Sequence, residues 1–213
     1  MMEIIDCEQG GEEWFAARLG IPTASMFSVL LSGRKDAKDK KTRQTYMMKL
    51  AGEIITGEPA ESYTNVHMER GKEMEDEARA AYAFMADVDP VRVGFIKAFG
   101  AGASPDSLVG DDRGLEIKTA LPHIQVDRLL NGTLPSEHKA QVQGNLWISG
   151  RKSWDFVSYC PRLPLFKITV ERDEEYIKEI AAGVAEFNKD LAEMVERIRA
   201  YSDARAAAQE AAE

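Results

Sequence analysis

The chain has 213 residues, 44% hydrophobic and 30% charged, an ordinary globular composition with room for one substantial core or at most two small ones. No stretch approaches the roughly 18 apolar residues that cross a bilayer, and the amino terminus MMEIIDCEQGGEEW lacks the basic start and apolar run of a secretory signal, so a cytoplasmic protein with no membrane partner is expected. The net charge of −9, from 27 basic and 36 acidic residues, argues only weakly against a nucleic-acid partner, because phosphate binding depends on where the positive charge sits.

In chain order, Glu12–Leu19 has helical character and Gly20 is placed to end it. Ile21-Pro22-Thr23 reads as extended, since a residue before proline avoids the α region. Ser25 can then cap a short helix whose apolar residues are Met26, Val29 and Leu30. Between Arg34 and Lys49 lie Arg34, Lys35, Lys38, Lys40, Lys41, Arg43 and Lys49, against only Asp36 and Asp39. That segment is either a phosphate-binding stripe or a solvated loop, and it leads into a helix from about Thr42 to Ile55. A second helix is expected from about Glu69 to Met85, with Gly71, Glu75, Ala78, Tyr82 and Met85 along one packed face.

Strands follow at Val91–Phe99, Ala103–Val109 and Leu115–Thr119, with Asp111–Gly114 as a hairpin turn between the last two. Helices are expected around Ile124–Leu130 and Glu137–Ile148, then strands at Ser153–Tyr159 and Leu165–Val170. A long amphipathic helix begins near Asp173. Its stripe of Ile177, Ile180, Val184, Phe187, Leu191, Met194, Ile198 and Tyr201 alternates steps of three and four, which predicts packing on the sheet, with fraying from Ala204. This order predicts an α/β fold: a single domain over 1–213 around a central mixed β-sheet flanked by helices, residues 173–213 forming the last helix. Cys7 and Cys160 form no metal-ligand spacing, and two thiolates cannot hold an iron–sulfur cluster.

The segment from Ser104-Pro105-Asp106 to Leu115-Glu116-Ile117-Lys118 carries the chemistry. Side chains alternate along a strand, so Glu116 and Lys118 share a face while Ile117 points into apolar packing. A tight turn at Asp111–Gly114 folds this strand back and brings Asp106 near Glu116. Two carboxylates and an ammonium then converge, an arrangement that a divalent cation compensates. Magnesium suits such hard oxygen ligands and leaves positions for water and substrate phosphate, where it stabilises charge on a scissile phosphodiester. The competing reading is a surface hairpin with an ordinary Glu–Lys pair.

At these residues the chain resembles the PD-(D/E)XK nucleases, and more of it resembles the phage lambda-type alkaline exonucleases, the YqaJ-like viral recombinase family. Trp14–Ser25 is similar to that family's W-x-x-x-R-x-G-x-x-T-A-S motif, and Arg70–Arg79 to its G-x-x-x-E-x-x-A-R helix. Ala140-Gln141-Val142-Gln143 matches its glutamine motif. The motifs occur in the family's order from Trp14 to Gln143. One departure is that Val91–Phe99 carries no acidic residue where the lambda-type pattern has one, which leaves the number of metals per site open.

The resemblance implies a restriction-endonuclease-like core and a set of roles. Asp106 and Glu116 would be metal ligands together with the Ile117 backbone carbonyl, and Glu75 would complete the site from its helix. Lys118 would act on the nucleophilic water, which Gln141 would help position. Arg18 and Ser25 match positions that hold a 5′-terminal phosphate. Met68 corresponds to a residue that wedges apart the terminal base pair.

The resemblance further implies a Mg²⁺-dependent exonuclease, with Mn²⁺ as a possible substitute, that digests one strand of linear double-stranded DNA from its 5′ end. It would release 5′-mononucleotides and leave a 3′ overhang for recombination. A ring-shaped homotrimer is implied, its bore lined by the Arg34–Lys49 segment, with a single-strand annealing protein as partner. The alternatives are an endonuclease or junction resolvase of the same superfamily, or a catalytically silent DNA-end-binding subunit.

Overall fold

The computed structural model describes residues 2–32, 37–60 and 66–210, with side chains described at all of these except 37–38, 66–73 and 202–210. In chain order the elements are β1 (Glu3–Ile5), α1 (Glu12–Arg18), a 3₁₀ turn (Ala24–Met26), α2 (Phe27–Ser32), α3 (Ala37–Thr56), α4 (Val66–Ala86), β2 (Pro90–Val91), β3 (Phe95–Ala98), β4 (Ala101–Ala103), β5 (Ser107–Val109) and β6 (Arg113–Thr119). After these come α5 (Pro122–Asn131), α6 (Ser136–Ser149), β7 (Ser153–Tyr159), β8 (Phe166–Glu171) and α7 (Glu174–Glu210).

The sheet that positions the site has the order β2-β5-β6-β7-β8, with β6 and β7 parallel and the other neighbours antiparallel. A mixed α/β architecture is therefore present, as the element order predicts. The parallel step needs a crossover, and α5 and α6 supply it. Alternation along β6 then sorts the packing. Leu115 and Ile117 join Val157, Ala78 and Tyr82 in a core beneath α4. On the opposite face Trp154, Phe156, Val142 and Leu146 form a second core beneath α6, and Glu116 lies on this side.

A second sheet, β1-β3-β4, is antiparallel throughout. It corrects the expectation of one continuous strand at Val91–Phe99: β2 and β3 belong to different sheets. The chain changes sheets at Gly94, where a Cβ would stand 2.5 Å from the Cys7 carbonyl oxygen. The expected strand Ala103–Val109 is likewise two, because Ser104–Asp106 leaves the ladder at Pro105, which has no N–H to donate. Strand β1 has only three residues, too short a run to show an alternation.

Several local expectations change. Gly110, with φ of 52°, makes the hairpin turn, whereas Gly114 lies within β6 and is small because the Trp154 ring occupies its Cβ position, 2.2 Å away. Ser25 lies inside the 3₁₀ turn rather than capping it, and Thr23 occupies the cap position. Met85 is exposed at 48%, so the packed stripe of α4 runs through Met74, Ala78 and Tyr82. Helix α7 packs chiefly on α2, α3 and α6 rather than on the sheet. Its buried stripe ends with Val195, leaving Ile198 and Tyr201 exposed, and the backbone is helical to Glu210. Asp173 accounts for its start, accepting the Tyr176 N–H on Oδ1 at 3.0 Å. Among the described residues no helix is long and apolar enough to cross a membrane.

Candidate active site

The hairpin register places Ser107 opposite Leu115, so β6 runs on beyond the end of β5. The Ile117 N–H on this uncovered edge donates to Asp106 Oδ2 at 2.5 Å. A side-chain carboxylate thus takes the place of the missing strand. Since a strand residue directs its N–H and C=O to the same edge, the Ile117 carbonyl faces the same gap.

Glu116 is 2% exposed, and both of its carboxylate oxygens are held. Oε1 accepts from Lys118 Nζ at 2.6 Å and from Gln141 Nε2 at 2.6 Å, while Oε2 accepts from Asn145 Nδ2 at 3.1 Å. Gln141 and Asn145 stand one turn apart on α6, so a single helix face clamps the group. Asn145 was not singled out in the sequence. The available signal was its spacing of one turn from Gln141 within a buried polar stretch.

Asp106 and Lys118 feel opposite consequences of this crowding. Burial, then the negative charges of Glu116 and Glu75, push the Asp106 carboxyl well above the ordinary carboxylate range, against the pull of Lys118 and of the Ile117 N–H. Burial would depress the Lys118 ammonium, but Glu116 and Asp106 together hold it above the usual lysine value. Glu75 thus lies within electrostatic reach of Asp106. Its carboxylate is paired with Arg79 on the same helix. Arg79, quoted above only as part of a motif, ties α4 to the hairpin by donating to Ser107 Oγ at 2.9 Å and to the Asp106 carbonyl at 3.2 Å.

The donor set fits a hard divalent cation. Asp106 is buried beside the carboxylates of Glu116 and Glu75, and carboxylate and carbonyl oxygens are the ligands magnesium takes, with water and phosphate completing the shell. Among the described residues no three His, Cys, Asp or Glu side chains already form a metal cage. Asp106 and Glu116 are the pair available, with Glu75 turned onto Arg79.

The other expected site residues fall into two groups. Arg18 lies over Trp14, its guanidinium 3.9 Å from the ring centroid, and Trp14 Nε1 donates to Ser104 Oγ at 2.9 Å, two residues from Asp106. Burial lowers the Arg18 pKa, with Tyr46 and Glu53 opposing. The Tyr46 hydroxyl accepts from the Thr23 N–H, and Thr23 Oγ1 lies 3.3 Å from Ser25 Oγ. Arg18 and the exposed Ser25 therefore share one neighbourhood. The basic segment is less uniform: Lys40 and Lys41 are exposed on α3. Arg43 does not belong to a free phosphate-binding stripe, because it turns onto α7, 2.8 Å from Asp190 and 3.8 Å from Glu186, over the Phe187 ring. Arg34 and Lys35 lie outside the described residues, and the side chains of Lys38 and Met68 do too.

Comparison with known proteins matches the YqaJ-like viral recombinase domain to residues 13–152. The chain belongs to this family. An alkaline exonuclease from Laribacter hongkongensis has a structure similar to this YqaJ-like chain at 36% identity, with a TM-score of 0.81 over 91% of this chain and 98% of that one. The same protein in complex with dAMP matches equally well. A phage-related exonuclease from Haemophilus somnus 129PT shares the fold, with a TM-score of 0.62 at 14% identity over 84% of this chain and 96% of that one. The uncharacterized protein ExoD of Escherichia coli strain K12 is 31% identical over 68 residues, which are 30% of this chain and 78% of that protein. This YqaJ-like chain is accordingly a nuclease, of a family that is generally metal-dependent.

Proposed function

We propose that this nuclease is a Mg²⁺-dependent 5′-to-3′ exonuclease of linear double-stranded DNA, releasing 5′-mononucleotides and leaving a 3′ overhang for recombination. The observation that carries the reading is the convergence of Asp106, Glu116 and Lys118 at the uncovered edge of β6. Asp106, Glu116 and the Ile117 carbonyl would hold the metal, with Glu75 beside them. When bound, it would supply charge stabilisation at the phosphodiester and a water of lowered pKa. Lys118, fixed by Glu116, presents its ammonium to the attacking water and to charge developing on the phosphoryl oxygens. Gln141 keeps Glu116 from turning away. Arg18, held over the Trp14 ring, offers guanidinium N–H groups to a 5′-terminal phosphate, with Ser25 as a second donor. On this reading the chain acts as a homotrimeric ring with the exposed lysines of α3 toward the DNA, and hands its overhang to a single-strand annealing protein.

The test uses a duplex labelled at one end, with and without a 5′ phosphate, beside a covalently closed circle. Preferential digestion from the phosphorylated end, with the circle spared, is expected. Cutting of the circle would point to an endonuclease instead. Neutralising Arg18 should remove the preference for the phosphate while leaving cleavage intact.

A further inference from the structure

Beside the half-buried Lys118, on the flank away from Asp106, lies a buried cation. Lys118 pairs in register with Ser158 of β7, so their side chains share a face. The Ser158 hydroxyl accepts from Arg128 NH1 at 2.8 Å. Arg128 comes in from α5, is 8% exposed, and meets His138 Nε2 at 3.3 Å through NH2. Burial first, and then Lys118 and Arg128, lower the His138 pKa to about 4. The ring is therefore neutral near pH 7, and Nε2 accepts from Arg128.

Among the described residues Arg128 has no carboxylate within ion-pair distance. Its two side-chain hydrogen-bond partners are a hydroxyl and a neutral imidazole, and its guanidinium stands 5.7 Å from the Phe156 ring centroid, which offers a π face but no charge. Glu137 and Asp127 act on it only through space. A guanidinium so deeply buried ordinarily carries a paired anion, because desolvating a lone charge is costly. Here it lies next to another cation instead. Arginine has five N–H donors, so two partners leave donors over.

The site therefore has a direction across the sheet. Trp14, Ser104 and Arg18 lie on the Asp106 side, Glu116 and Lys118 in the middle, and Ser158 and Arg128 on the β7 side. We infer that Arg128, held by Ser158 and His138, is a phosphate-binding residue that receives the backbone phosphate on the 3′ side of the one being cut. The inference rests on the proposed exonuclease reading, in which Arg18 takes the phosphate on the 5′ side. The substrate strand would then lie across β5, β6 and β7, its successive phosphates on Arg18, the carboxylate–lysine centre and Arg128.

The test measures KM on a linear 5′-phosphorylated duplex over a range of salt, for wild type, Arg128→Gln and Arg128→Lys. A second duplex carries a neutral methylphosphonate at the position 3′ to the cut. Arg128→Gln is expected to raise KM about tenfold or more, the effect of losing a charge-assisted hydrogen bond. It should also flatten the slope of log affinity against log salt by about 0.7–0.9, one phosphate contact, and Arg128→Lys should recover part of both. The methylphosphonate should cost wild type a similar factor and cost Arg128→Gln almost nothing more. Unchanged KM and salt slope in Arg128→Gln, or losses that simply add to the methylphosphonate's, would overturn the inference. Should Arg128→Gln not fold, the methylphosphonate decides on wild type alone: no rise in KM at that position overturns it. A wild-type chain that cuts no duplex would strike the proposed function itself, whereas these outcomes strike Arg128 alone.

Discussion

Asp106 and Asp155 belong to the same five-stranded sheet, yet their surroundings drive them in opposite directions. Asp155 is fully buried on β7, where burial alone would raise its pKa. Thr169 at 2.5 Å, Tyr82 at 2.6 Å, Lys167 and Arg113 outweigh that and leave it below the ordinary carboxylate range. Asp106, at the uncovered end of β5, is pushed up by burial and then by its acidic neighbours, which Lys118 and the Ile117 N–H do not offset. The difference separates a carboxylate that the fold completes from one that awaits a cation. Tyr82 and Asp155 fasten α4 to β7, and the same helix carries Glu75 and Arg79, so the finished network holds the unfinished one in place.

The largest expected effect comes from breaking the unfinished side. Asp106→Asn should lower duplex digestion by about a thousandfold, the scale of losing transition-state charge stabilisation, measured by release of a terminal label. Folding raises the Asp106 pKa, so the native state holds that proton more tightly than the unfolded chain. Metal-free stability should fall as pH rises from the unfolded carboxylate pKa through the raised one. Asp106→Asn should therefore melt higher than wild type without metal and lose the gain that wild type shows with magnesium. Equal melting curves for the two proteins would remove the claimed charge excess.

Asp155→Asn should do the reverse. It leaves Arg113 and Lys167 facing a neutral group, and a loss of about 3 kcal/mol is expected in denaturant melts near pH 7. Because folding lowers the Asp155 pKa, its contribution is complete above the unfolded carboxylate value and is lost as pH falls through the folded one. Wild type should therefore show an acid limb that the variant lacks.

Smaller effects sharpen the contrast. Asn145→Ala should slow cleavage about tenfold and raise the magnesium concentration needed for half-maximal rate, as loss of a group orienting a metal ligand does, with an unchanged KM for DNA. Smallest of all, Arg43→Gln should cost about 1 kcal/mol of stability and leave the salt dependence of DNA binding unaltered, whereas Lys40→Gln with Lys41→Gln should reduce that dependence.

The active-site strand was legible because Glu116, Ile117 and Lys118 obey a period of two that no tertiary contact has to override. The pairing of Asp106 with the Ile117 N–H was legible only as nearness, since it depends on β5 ending before β6 does. Gly94 shows what was lost: an isolated glycine in a strand-like run marked a change of sheet, but its partner, Cys7, lies far off in sequence. Arg43 misled because a basic run carries no record of Asp190 on another helix. Arg128 had no local pattern at all and Asn145 only its one-turn spacing from Gln141, and packing of α5 and α6 over β7 and β6 gives them meaning.

Everything turns on whether Asp106 and Glu116 hold a divalent cation between them. A titration of Mn²⁺ followed by electron paramagnetic resonance, in wild type, Asp106→Asn and Glu116→Gln, measures this without any DNA. Saturable binding by wild type that both substitutions abolish is the predicted result. Binding that survives in the two variants, or that is absent from wild type, would contradict the account.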